Sequence, residues 1–270
     1  MKKYSIAFTL LVVLLVSSCS SYNRVLKADD YGAKFDLANE LYDNDDEVKA
    51  VALYEQVYQR MPKSPEGEVS YFRIGKGYYV GGDTYMAGYY LGMFAKRFPT
   101  SPKAEEALFL SALCGVAESP TSSLDQDATE LAIGDLQQFV DRFPNSALVD
   151  SSNQIIDRLR FKLEQKEYDA VKLYAKTENY RAAVSSSITF MDDFTRTKFR
   201  EEVFFILVEN SYHLSKNSVS SKKMERIDDT IERYRTFVIE FPDSKYRNLA
   251  KRYFEQTVKD KEIFIEENKK

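Results

Sequence analysis

Cys19 is the residue of this chain whose surroundings point most directly to chemistry. Val16, Ser17 and Ser18 precede it, and ahead of them lie a basic start, Lys2-Lys3, and an apolar run from Ile6 to Val16. That run falls short of the roughly 20 residues a membrane-spanning helix needs. It fits the core of a secretory signal. Basic start, short apolar core and small residues ahead of a cysteine, in that order, resemble a lipobox, in which the thiol takes a diacylglycerol and the chain is cut in front of it. The expectation is a lipoprotein signal peptide over 1–18, lipidation at Cys19, and a lipid-anchored tether over 19–28, extended and short. Removal of Lys2 and Lys3 takes the formal charge from −4 to −6. More than one acyl chain holds a protein stably on a membrane. Acidic residues are absent until Asp29 and Asp30, which favours the periplasmic face of the outer membrane.

Other chemistry is sparse. His213, the single histidine, falls near the end of an expected helix, where it would meet terminal carbonyls. Cys114 lies in the apolar stretch Ala107 to Val116 and is expected to be buried and structural. No Cys-x-x-Cys or phosphate-binding loop occurs, and Gly75-Lys76-Gly77 lacks the third glycine of a dinucleotide loop. One histidine and two cysteines exclude a two-histidine site and a Cys-rich zinc site. Asp45-Asp46-Glu47 and Asp228-Asp229 sit at expected helix starts, where negative charge is favourable without any further role. No enzyme, cofactor or metal is expected. A formal charge of −4 also argues against a general nucleic-acid binder.

Function must then reside in a surface, and the elements that build it are legible. With 44% hydrophobic residues but only 10 Gly and 7 Pro, the composition favours helix over a turn-rich β fold. A short pattern recurs: Met61-Pro62-Lys63-Ser64, Phe98-Pro99-Thr100-Ser101, Phe143-Pro144-Asn145-Ser146, Phe194-Thr195-Arg196-Thr197 and Phe241-Pro242-Asp243-Ser244. Pro ends a helix at the residue before it. The Ser or Thr two residues on is a good N-cap for the next helix. Pro65 and Pro102 follow directly, at a position suited to the first helical residue. Between these boundaries the apolar spacing is helical, as in Ile227, Ile231, Tyr234, Val238 and Phe241. Each interval also holds one inner break: Asp43 to Asp46, Gly81 to Asp83, Pro120 to Asp125, Thr177 to Asn179 and Ser215 to Ser221.

Helix pairs closed by Pro resemble the tetratricopeptide repeat (TPR). Its pattern is matched by Ile74-Gly75, Tyr78, Ala87, Leu91, Phe94 and Pro99, and by Leu37-Ala38, Leu41, Ala50, Tyr54, Val57 and Pro62. The fold expected is all-α: a TPR-like helical-hairpin solenoid of about five repeats. Repeats 1–3 would occupy 29–145, and a long central helix with repeats 4–5 would occupy 146–270. In TPR domains ligands touch inward-facing positions of the first helix. The resemblance places these at Phe35, Asn39 and Tyr42, and at Phe72, Lys76 and Tyr79. Such a set suits an extended peptide that ends in an aromatic residue and a carboxylate.

Lipobox, five TPR-like units, the Pro-Ser boundaries and the stretch Leu159 to Val184 together resemble the BamD family, lipoproteins of the outer-membrane β-barrel assembly machinery. The resemblance implies a non-enzymatic scaffold on the periplasmic face of the outer membrane. It would bind BamA through its POTRA domains and receive unfolded outer-membrane proteins on its N-terminal repeats. The partner contact would fall around Thr195 to Glu202, with Arg196, Lys198 and Arg200, and on the last hairpin, Ile227 to Phe264. Thr195 in place of Pro and a long loop from Ser215 to Lys223 depart from the pattern there. The alternative is another lipid-anchored TPR protein of the cell envelope, capturing glycans or organising the envelope. Glycan-capture proteins of the SusD type are longer and present Trp-rich platforms, and this chain has no Trp.

Overall fold

The computed structural model describes residues 21–268, so the expected signal peptide and the lipidation site at Cys19 lie outside the described residues. A helical segment over residues 21–27 (α1) comes first. It is followed by α2 (Tyr31–Asp43), α3 (Glu47–Arg60), α4 (Pro65–Val80), α5 (Thr84–Arg97), α6 (Ala104–Glu118) and α7 (Asp127–Arg142). Then come α8 (Val149–Lys176), α9 (Tyr180–Asp193), α10 (Arg200–Lys216), α11 (Ser220–Glu240) and α12 (Arg247–Glu267). No strand occurs among the described residues. The expected all-α, TPR-like architecture is present as hairpins α2–α3, α4–α5, α6–α7, α8–α9 and α10–α11, with α12 after them.

The chain divides into two compact units, with the boundary between Arg160 and Phe161, inside α8. In the first unit each helix from α2 to α7 packs on the next. Its core includes Leu53, Tyr54, Ile74, Leu91, Phe94 and Leu136, all buried. In the second unit α9 packs on α10, α10 on α11, and α12 on both α10 and α11. Tyr168, Val171, Phe190, Val203 and Ile206 form one of its clusters, and Phe204, Phe237 and Ala250 belong to another.

Most of the described part of the expected tether is helical. Residues 21–27 are helical, and Tyr22, Val25 and Leu26 pack against the cluster that holds Ala38, Leu53 and Tyr54. Tyr22 OH also donates to Lys49 O at 3.1 Å. Apolar residues at i, i+3 and i+4 line one face of a helical turn, which explains why this segment is drawn onto the core.

Each boundary motif ends a helix as expected. Phe98, Phe143, Phe194 and Phe241 donate their amides to the carbonyls of Phe94, Phe139, Phe190 and Phe237, one turn back. The paired rings lie 5.1, 5.8, 5.0 and 5.7 Å apart. The copy with Thr195 makes the same ending with the same tilted Phe pair, so this ending does not require proline. The N-cap expectation holds at Ser64, whose Oγ accepts from Gly67 N at 3.1 Å with Pro65 as the first helical residue. It is corrected at the other four. Ser101, Ser146, Thr197 and Ser244 accept instead from the amide two residues on, those of Lys103, Leu148, Phe199 and Tyr246, at 3.0 to 3.2 Å. This side-chain turn competes with helix, so α6, α8, α10 and α12 begin only at Ala104, Val149, Arg200 and Arg247. Pro102 therefore lies ahead of its helix.

The inner breaks of three hairpins pivot on one residue in the left-handed region: Asp45 (φ 59°), Gly82 (φ 80°) and Glu178 (φ 57°). Asp83 and Asn179 then cap the next helix, accepting from Met86 N and Ala182 N. The long loop expected over 215–223 is corrected to residues 217–219, because α10 runs to Lys216 and α11 starts at Ser220. Ser218 Oγ donates to Leu214 O and accepts from Arg226 Nη1, tying the two helix ends together. Ser and Lys are frequent here because the helix start is exposed, not because the chain is irregular.

Candidate functional site

Asn39 and Tyr42 lie one turn apart on α2, and Arg73 and Lys76 one turn apart on α4. Helical spacing of three puts each pair on one face. The structure brings the two pairs together. Arg73 Nη1 donates to Asn39 Oδ1 and to Tyr54 OH, both at 2.7 Å, and Tyr54 OH donates to Asn39 Oδ1 at 2.8 Å. The Arg73 guanidinium lies 4.2 Å from the Tyr42 ring centroid and 3.8 Å from Asp43 Oδ1. Phe35 and Tyr42 both meet the Tyr54 ring edge-on, at 6.3 and 6.4 Å. Burial pushes the Tyr54 phenol up to about 12 despite Arg73 beside it, so it stays protonated and able to donate.

Farther along α4, Lys76 Nζ pairs with Glu106 Oε1 at 3.2 Å, and Lys103 Nζ pairs with Glu106 Oε2 at 3.0 Å. Partial burial raises the Glu106 carboxyl pKa, but hydrogen bonds from Lys103 and Lys76 outweigh it and hold the group below its ordinary value. Three cations therefore share two carboxylates, Asp43 and Glu106. Phe72, expected as a ligand contact, is buried, its ring 5.3 Å from Phe94. Tyr79 is half-buried against the same cluster. Thus Asn39, Tyr42 and Lys76 stand on a polar, ring-lined surface, Phe35 supports it, and Phe72 serves the core. Arg73 and Glu106 were missed from sequence, since nothing local marks an arginine 34 residues from its acceptor.

In the second unit Lys198 and Arg196 are exposed, while Arg200 is committed to the fold. Arg200 Nε pairs with Glu240 Oε1 at 2.5 Å and its Nη1 donates to Met191 O at 3.1 Å. Lys198 Nζ lies 4.3 Å from the Phe161 centroid, and Phe199 stacks between Phe161 and Tyr168 at 6.0 and 4.0 Å.

The remaining candidates for chemistry are structural. Cys114 is buried, and burial, aided by Glu118, pushes its thiol up to about 11. His213 does not cap carbonyls as expected. Its ring stacks on Tyr180 at 5.0 Å, with Tyr212 and Tyr253 edge-on. Among the described residues no cluster of His, Cys, Asp or Glu could hold a metal ion. No described helix is long and apolar enough to cross a membrane.

A family described as "YfiO: Outer membrane lipoprotein" matches residues 28–225. The chain belongs to this family. Relatives within reach include the outer membrane protein assembly factor BamD of Caulobacter vibrioides, 27% identical over 161 residues, which covers 60% of this chain and 53% of that protein. This chain thus spans about half the length of that relative. The BamD of Neisseria meningitidis serogroup B is 24% identical over 262 residues, covering 91% of this chain and 94% of that one. Among solved structures, a Podosopora anserina kinesin light chain of nearly identical TPR-like repeats aligns at 14% identity and a TM-score of 0.32, over 80% of this chain and all of the other.

Proposed function

We propose that this YfiO-family lipoprotein is a non-enzymatic scaffold of outer-membrane β-barrel assembly. It is anchored through Cys19 to the periplasmic face of the outer membrane. Its N-terminal unit receives the C-terminal strand of unfolded outer-membrane proteins. Its C-terminal unit holds a BamA-like barrel protein by its POTRA domains, around Arg196 and Lys198 and along α11 and α12.

The observation that carries the substrate half is the Asn39–Tyr42–Tyr54–Arg73 cluster beside Lys76. Rings and cations stand together there: the Arg73 guanidinium lies over the Tyr42 and Tyr54 rings, and Lys76 follows one turn on. A peptide carboxylate arriving at Lys76 competes with Glu106 and is favoured by Coulomb attraction in a partly desolvated site. The terminal aromatic rests against Tyr42 and Tyr79.

Tyr42→Ala with Tyr79→Ala is expected to weaken a fluorescent C-terminal strand peptide about tenfold, and amidating the peptide terminus should weaken it in the wild type as well. Equal binding by the double variant, with an unchanged melting curve, rejects the surface. For the partner half, affinity capture from detergent-solubilised membranes should return a POTRA-containing barrel protein, and its absence rejects the assignment.

A further inference from the structure

A second surface of the N-terminal unit has opposite character. Helices α5, α6 and α7 leave a groove of about 390 Å³. Tyr85 (79% exposed) and Leu131 (70%), the two most exposed large apolar side chains of this unit, both line it, and Tyr89 stands beside them. Rings so exposed gain from being covered. Its floor is made of small residues: Gly88, Ser111, Gly115 and Ala132. Ser111 Oγ already donates to Gly88 O at 2.9 Å, so the floor asks for no hydrogen bond.

A second depression lined by Asp127, Glu130, Leu131, Gly134 and Asp135 adjoins it, sharing Leu131 and Asp135. A Cβ at Gly134 would meet nothing within 4 Å, so the surface is open at that point. The two hollows carry four carboxylates, Glu118, Asp127, Glu130 and Asp135, and no Lys or Arg lines either. Glu118 is engaged by Thr84 Oγ1. Burial raises the Asp135 carboxyl, which Lys96 only partly offsets.

We infer that this groove docks an amphipathic α-helix of a partner protein, whose Leu-sized side chains enter between Tyr85, Tyr89 and Leu131 and whose Lys or Arg residues meet Asp127, Glu130 and Asp135. A helix fits because a trough of small residues between helices accepts the side-chain ridge of another helix at close range. Basic flanks follow from the carboxylates, whose repulsion is relieved by opposite charge. The same charge turns away a peptide that ends in a carboxylate, so this site is separate from the α2–α4 surface.

The test uses the full chain in non-ionic detergent, with empty micelles as background. The probe is a fluorescent helical peptide of Leu, Ala and Lys, with Leu at i, i+3, i+4 and i+7. One control has the same composition with the Leu positions scrambled, and another carries Glu for Lys. The basic amphipathic peptide should bind, and both controls should bind at least about tenfold more weakly. Tyr85→Ala with Leu131→Ala should weaken it about tenfold, and Glu130→Gln with Asp135→Asn should weaken it and flatten its salt dependence. All four side chains sit at the surface, and a melting curve checks the fold. Leu131→Gln alone serves if the double variant unfolds. Binding of the scrambled peptide as strong as that of the probe, or binding untouched by these variants, overturns the inference. So does a dimer of this chain abolished by Leu131→Glu, which would make a second copy the occupant.

Discussion

In the N-terminal unit glycines let helices touch, and the C-terminal unit has no glycine and relies on larger residues, buried serines and threonines among them. All ten glycines of the chain lie between Gly32 and Gly134. A Cβ at Gly75 would stand 2.7 Å from Leu91 Cγ, and one at Gly77 would stand 2.4 Å from Val51 Cγ2 and 2.9 Å from Glu47 O. So α4 touches α5 and α3 through missing side chains. The second unit buries Ser187, Ser211, Ser215, Thr230 and Thr257 within its helices. Each hydroxyl donates to a carbonyl about one turn back in its own helix, at 2.6 to 2.8 Å. The two kinds of position differ in tolerance. A glycine seam has no room for a carbon. A hydroxyl seam already holds an atom of methyl size, and its polar atom is satisfied locally.

That contrast can be broken by substitution, and pH probes what the two units share. The largest effect is expected for Gly67→Ala, because the new Cβ would lie 1.9 Å from the Met61 carbonyl oxygen, a backbone atom that cannot rotate away. Chemical denaturation should show a loss of about 3 kcal/mol or more. Gly77→Ala meets the Val51 side chain and the Glu47 carbonyl and should cost about 1–3 kcal/mol. Melting of this variant at the wild-type temperature would end the distinction.

Alkaline pH probes the ring-lined seams. Burial pushes the phenols of Tyr54, Tyr71 and Tyr78 in the N-terminal unit up to about 12, and those of Tyr168 and Tyr253 in the C-terminal unit higher still, so both units share this sensitivity. The fold favours their protonated form. Their contribution is therefore intact below the unfolded value near 10, and it is lost as pH rises from there towards 12. Stability measured at pH 9 should match that at pH 8, and should fall steadily above pH 10. The smallest effect is expected for Ser187→Ala, within about 1 kcal/mol, because the Ala183 carbonyl it frees keeps its helical amide partner. A loss as large as that of Gly77→Ala would show that the hydroxyl seams are equally intolerant.

The helix boundaries were readable because their causes are local. Pro62, the Phe pairs and the Asp83 and Asn179 caps act within four residues of one another. Errors arose where two local options compete, as when Ser101 and Ser146 chose the amide two residues on over a helix cap, or where a polar run at 220–223 proved to be exposed helix. The candidate site was half legible. Asn39, Tyr42 and Lys76 followed from repeat register, whereas Phe72, on the same reasoning, turned inward to Phe94. The state of each charge depends on residues far apart in sequence: Arg73 on Asn39, Lys76 on Glu106, Arg200 on Glu240.

By itself the sequence determined where the helices end at the boundary motifs and that they pair into hairpins. These are matters of backbone sterics, complete within a turn or two of chain. Tertiary structure alone decided which cations remain free to meet a partner, which rings are core and which are surface, and that acidic and basic faces occur in one unit. Solvation and Coulomb interactions depend on distance in space, and the helices that bring Arg73 to Asn39 or leave Tyr85 beside Leu131 are set by packing across tens of residues.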